Sequence, residues 1–150
     1  MLKNAINGLE NLLMNEIPEG SVILVNGAEG TLKSGLVFSM LSNHITVTGE
    51  HGLYVSLEQT KGSHLQNMNS LRIKKVDGLH IFDYQDMREE WIDRELDFNK
   101  MTEEVIDFYK NKDDNLKVFA LDSLNALYSI SDDAHPRNKM YHFFLSLREE

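Results

Sequence analysis

Four short apolar runs, separated by stretches of helical spacing, constrain the fold of this chain more than any other feature. They are VILVN (Val22–Asn26), LYVSL (Leu53–Leu57), LHIFDY (Leu79–Tyr84) and KVFALD (Lys117–Asp122). Each is apolar continuously rather than at alternate residues, the pattern of a strand covered on both faces in a parallel sheet. Between them, Leu36, Val37, Met40 and Leu41 make one helical stripe, and Leu65, Met68 and Leu71 a second. Met101, Val105, Ile106 and Tyr109 make a third, with Glu103, Glu104 and Asp107 on its outer side. A helix precedes the first run, and a last one is expected from about Arg137 to Glu149. The charge-dense segment from Asp86 to Asp97 fits a helix or a loop equally well. The resulting order, helix then β-α-β-α-β-α-β then helix, implies an α/β layered fold with a mostly parallel sheet and right-handed crossovers.

The length of 150 residues fits one domain, 1–150, with a core of its own. The last residues, FFLSLREE, stop inside an amphipathic pattern with no capping glycine or proline, so the chain reads as a piece of a longer protein. Cysteine is absent, which excludes disulfides and thiolate metal sites and fits a reducing, cytoplasmic setting. No apolar run approaches the roughly 20 residues of a membrane helix, and the N-terminus mixes acids with its leucines, unlike a secretory signal. The formal charge of −9 repels nucleic acid overall. Arg72, Lys74 and Lys75, and Lys110 with Lys112, read as solvated faces, since no aromatics interleave them into a base-stacking platform. Trp91 reads as a packing residue. His44, His51, His64, His80, His135 and His142 show no tight ligand spacing and read as satisfied or exposed side chains rather than a zinc site.

The stretch GAEGTLKS, Gly27 to Ser34, follows the first run and opens the first stripe. It matches a phosphate-binding loop, Gly-x-x-x-x-Gly-Lys-Ser, except that Leu32 stands where the second glycine belongs. Such a loop works because backbone N–H groups of a turn and of a helix N-terminus point at phosphate oxygens. Gly27, Ala28, Glu29, Gly30, Thr31, Leu32, Lys33, Ser34 and Gly35 are the expected nucleotide contacts. Lys33 would reach the β- and γ-phosphates and the Ser34 hydroxyl would hold Mg²⁺. A Cβ at position 32 crowds the phosphate, although the backbone N–H survives. The plainer alternative is an ordinary strand-to-helix turn with a surface lysine.

Two strand ends add to this. Asp122 closes KVFALD and is placed to hold the hydration shell of Mg²⁺; alternatively it caps the short helix SLNAL. Glu58 follows LYVSL and is placed to act as general base toward water; alternatively it is a surface acid. In a parallel sheet the loop, Glu58 and Asp122 all lie at the carboxyl edge, where open α/β folds bind ligands.

On these residues the chain resembles RecA-fold P-loop ATPases of the KaiC, RadA and GvpD type. Gly8, Leu9, Leu12, Leu13, Ile17, Pro18 and Gly20 match the opening of that family, while Met14, Asn15 and Glu16 replace its glycine cluster. Tyr54-Val55-Ser56-Leu57-Glu58-Gln59-Thr60 matches the strand ending in the family's catalytic glutamate, and Val118–Ser123 its Walker B segment. The resemblance implies a three-layer α/β/α RecA-like fold, truncated after the Walker B strand and the following helix. It also implies a homo-oligomeric ring or filament of ATPase subunits that use ATP and Mg²⁺, with Lys33 and Glu58 catalytic and Ser34 and Asp122 at the metal. A nucleotide-binding regulator or scaffold that does not hydrolyse ATP, working with a protein partner, is the alternative. A DNA-dependent recombinase is disfavoured by the acidic balance.

Overall fold

The computed structural model describes residues 5–83, 98–126 and 144–145. The segment 86–97, Trp91, His135, His142 and all of the expected last helix except 144–145, which are helical, lie outside the described residues. In chain order the elements are α1 (Leu9–Leu12), α2 (Lys33–Thr48), β1 (His51–Ser56), α3 (Lys61–Ser70), β2 (Leu79–Asp83), α4 (Phe98–Lys112) and β3 (Leu116–Asp122). The strands form one parallel sheet in the order β2-β1-β3.

Central β1 shows why its run is apolar at every residue. Leu53 and Val55 face one core with Phe82, Leu116 and, from α4, Val105 and Ile106. Tyr54 faces the other, with Phe38, Leu41 and Ile45 of α2, Met68 of α3, and Ile81 and Val118. Helices therefore cover both faces, and the fold is a three-layer α/β/α sandwich.

The helix stripes lie in part where spacing puts them, with Leu41 and Met68 in the core and Val37 and Leu65 packed against it, but neighbouring positions join them. In α2 the buried line is Phe38, Leu41 and Ile45, while Leu36 stays exposed. In α3, His64 and Met68 are buried and Leu71 is partly exposed. Caps fix the ends of α3. The Thr60 hydroxyl accepts from the Ser63 N–H at 3.2 Å, and the buried Asp83 carboxylate accepts from the Lys61 N–H. At the other end Ile73 N–H bonds Met68 O and Arg72 N–H bonds Asn69 O, a Schellman turn with Arg72 at φ 61 in place of glycine.

One strand expectation is corrected. Residues 21–28 have no regular structure, and Val22, Ile23 and Leu24 are 51%, 44% and 72% exposed. A strand exists through its ladder, and among the described residues none lies beside this run. Its apolarity reports a need for cover that the three strands do not meet.

At the amino-terminal edge of the sheet, the Asp113 Oδ2 accepts from His51 Nδ1 at 2.5 Å and His80 Nε2 at 2.7 Å. These bonds, that of His80 first, hold the Asp113 carboxyl down to about 2 against the opposing effect of burial.

Candidate nucleotide site

The opposite, carboxyl edge gathers the residues singled out from the loop and the strand ends. Lys33 and Ser34 open α2, so they stand at the positive end of its dipole, where the first N–H groups lack partners within the helix. The loop before them is tightly folded. Thr31 Oγ1 donates to Ala28 O at 2.7 Å, and a Cβ on Gly27 would lie 2.9 Å from that same hydroxyl oxygen, so a larger residue there would displace the Thr31 side chain. Lys33 Nζ curls back to donate to Gly27 O at 2.9 Å and Ala28 O at 2.8 Å. Gly30 has φ 77. Ala28 and Glu29 complete the exposed turn, and Gly35 is buried in the first turn of α2.

Leu32 has φ 59 and ψ 29, the left-handed region that glycine enters without cost. Leu32 thus takes a backbone conformation that glycine would take at lower cost. The strain is roughly 1–2 kcal/mol. The side chain is 60% exposed, so no packing in the described structure offsets it.

Glu58 and Asp122 leave adjacent strands, since Ser56 of β1 is in register with Asp122 of β3 and Leu57 N–H bonds Asp122 O at 2.7 Å. Ser56 Oγ donates to Gln59 O at 2.8 Å, which pins the turn presenting Glu58. The Ser123 hydroxyl donates to Glu58 Oε1 and accepts from Ala126 N–H at 3.2 Å. Ser123, not Asp122, therefore caps the turn over 124–126, and the capping alternative for Asp122 is removed.

Asp122 has a different partner, one that spacing did not reveal. The buried Tyr54 hydroxyl donates to Asp122 Oδ2 at 2.5 Å, and the Ser34 hydroxyl lies near enough to act on the phenol in the opposite sense to the carboxylate. Burial first, then the Asp122 charge and hydrogen bond, push the Tyr54 phenol far above its ordinary value, so it remains a neutral donor. His64 stacks on Tyr54 at 4.6 Å between centroids, and its buried Nε2 has no partner among the described residues. Burial lowers its pKa, with the Asp122 charge opposing, which keeps the ring neutral. In the sequence Tyr54 stood out only as the first residue of the matching stretch Tyr54–Thr60, not as a partner of Asp122.

The model of the KaiC ATPase family matches residues 2–150, nearly the whole chain. The chain belongs to the KaiC ATPase family. This KaiC-family chain is also similar to two archaeal proteins called UPF0273. It is 39% identical to one from Pyrococcus furiosus over 67 residues, covering 45% of this chain and 27% of that protein. It is 41% identical to one from Saccharolobus solfataricus over 58 residues, covering 39% of this chain and 20% of the relative. The matched segments thus span well under half of those relatives. Among the described residues no helix is long and apolar enough to cross a membrane.

Proposed function

We propose that the chain is the ATP-binding module of a KaiC-like ATPase that hydrolyses Mg·ATP, with ATP and ADP bound at the loop 27–35. The observation that carries this reading is the Tyr54 hydroxyl, which bonds Asp122 at the end of β3 and lies close to Ser34 at the start of the loop helix. A hydroxyl and a carboxylate converging in this way form an oxygen donor set suited to Mg²⁺. Ser34 and Asp122 would hold Mg²⁺ there, and the bound ion would supply neutralisation of the phosphate charge. Lys33 exchanges its two loop carbonyls for phosphate oxygens, and the N–H groups at the start of α2 receive the remaining charge. Glu58 accepts a proton from water as the water oxygen attacks the γ-phosphorus, and ADP departs with the bridging oxygen. A ring or filament of such subunits, in the cytoplasm and without nucleic acid, completes the proposal.

The test is calorimetric titration of the chain with Mg·ATP. Lys33→Ala removes charge-assisted bonds worth roughly 1.5–3 kcal/mol, so affinity should fall by about 10- to 100-fold. Equal binding by wild type and variant would show that the nucleotide sits elsewhere.

A regulatory or scaffold module that binds nucleotide without turning it over is the second reading, favoured by Leu32. Leu32→Gly relieves the left-handed strain, offset in part by roughly 0.5–1 kcal/mol of added unfolded-state entropy. Stability should therefore change by less than about 1 kcal/mol in urea denaturation. If the same variant raises ATP turnover more than about tenfold, the native loop is a weakened one and the regulatory reading leads.

A further inference from the structure

We propose that His51, His80 and Asp113 form a binding site for a divalent cation of the zinc class, at the sheet edge opposite the nucleotide site. The three residues come from three elements: the first residue of β1, the second of β2, and the turn between α4 and β3. Their ligand atoms all lie within 4.8 Å of one another. Both imidazoles aim at the same carboxylate oxygen, His51 through Nδ1 at 2.5 Å and His80 through Nε2 at 2.7 Å. Zinc bonds of roughly 2.0–2.2 Å in a tetrahedron space ligand atoms by about 3.4 Å. Opening the trio by less than about 1 Å, within reach of side-chain torsions, therefore admits the ion.

The scaffold holds these ligands in place. His51 N–H bonds Asn115 O at 2.9 Å, Gly52 N–H bonds Gly78 O at 2.9 Å, and Leu116 N–H bonds Asp113 O at 3.0 Å. Asn115 Nδ2 ties the turn to Gly49 O at 2.8 Å. The Asn115 N–H also bonds Asp113 Oδ1 at 3.1 Å, which orients the carboxylate so that Oδ2 faces the two rings, a support of the kind that metal ligands receive. Gly78 gives the His51 ring its room, since a Cβ there would lie 2.5 Å from Cδ2. The two histidine side chains are about one-third exposed, at 36% and 35%, so the ion has an entry path and a position open to water. Two imidazoles and one carboxylate, with no thiolate, suit Zn²⁺, Co²⁺ or Ni²⁺ over Mg²⁺ or Ca²⁺. Bound there, the ion clamps the starts of all three strands. The site is independent of the nucleotide reading.

The experiment titrates the full, chelator-stripped chain with Zn²⁺ alone, by calorimetry, at pH 7.5. One equivalent should bind the wild type and Lys33→Ala alike, and affinity should fall by at least about 100-fold in the His51→Ala/His80→Ala variant. A rise in Tm with added Zn²⁺ should vanish in the same variant. Should that variant fail to fold, X-ray absorption of the Zn²⁺-loaded wild type decides: two imidazoles per zinc support the site, and fewer overturn it. A folded wild type that binds no stoichiometric Zn²⁺, or a double variant that binds it equally, shows that the trio is only a hydrogen-bonded ion pair.

Discussion

Glu58→Gln is expected to leave Mg·ATP binding within about twofold of wild type and to slow turnover by about 10²–10⁴-fold, the contribution of a positioned general base. The substitution is informative because the surroundings of Glu58 do not depend on its charge. The Ser123 hydroxyl donates to Oε1, and a glutamine oxygen accepts in the same way. The turn is held by Ser56 and by the Thr60 and Asp83 caps of α3, none of which uses the Glu58 carboxylate. Basicity is lost while position is kept. Single-turnover kinetics with saturating Mg·ATP separates the proton-transfer step from product release. Turnover unchanged in the variant would remove Glu58 from the mechanism and turn attention to other groups at the strand ends.

The sequence made the sheet readable because β1 and β2 are buried on both faces and β3 on one face with the other partly covered, and such cover leaves a nearly continuous apolar run. The same signal failed at Val22–Asn26, since an apolar run states that a segment must be covered and not that a neighbour is present to cover it. Helix positions were legible from spacing, but their faces drifted. The core chose Phe38 over Leu36, and a neutral histidine, His64, took a fully buried place that hydropathy would give to an aliphatic residue. Arg72 in a left-handed cap has no signature in a sequence read for glycine.

The candidate site divides along the same line. Glu58, Lys33, Ser34 and Asp122 could be named because each stands at a fixed offset within a local pattern. Tyr54 could not be given its role, since its contact with Asp122 spans two strands and depends on their register. His51 and His80 were dismissed for want of close spacing and Asp113 was not singled out, and the meeting of the three is likewise a product of strand register and of the turn held by Asn115.

Phe38 carries the last prediction because it joins the elements that position the loop. It is fully buried, and its ring meets Tyr54 edge-on at 5.5 Å and His64 at 5.2 Å. It thus links α2, which bears Lys33 and Ser34, to β1 and α3. Phe38→Ala deletes a buried aromatic side chain at a cost of about 3–5 kcal/mol, a large share of the 5–15 kcal/mol typical of a domain. The lower end of that range is expected here. The cavity would adjoin the His64 ring, whose Nε2 has no partner among the described residues, so a water entering beside it could gain a polar contact. Phe38→Leu, which loses the aromatic pairs but fills most of the space, should cost roughly 1–2 kcal/mol. Urea denaturation of the two variants measures both. A loss below about 1 kcal/mol for Phe38→Ala would mean that α2 is not held to the sheet by this contact. The geometry joining Ser34, Tyr54 and Asp122 would then have to be maintained by the loop itself, against the strain at Leu32.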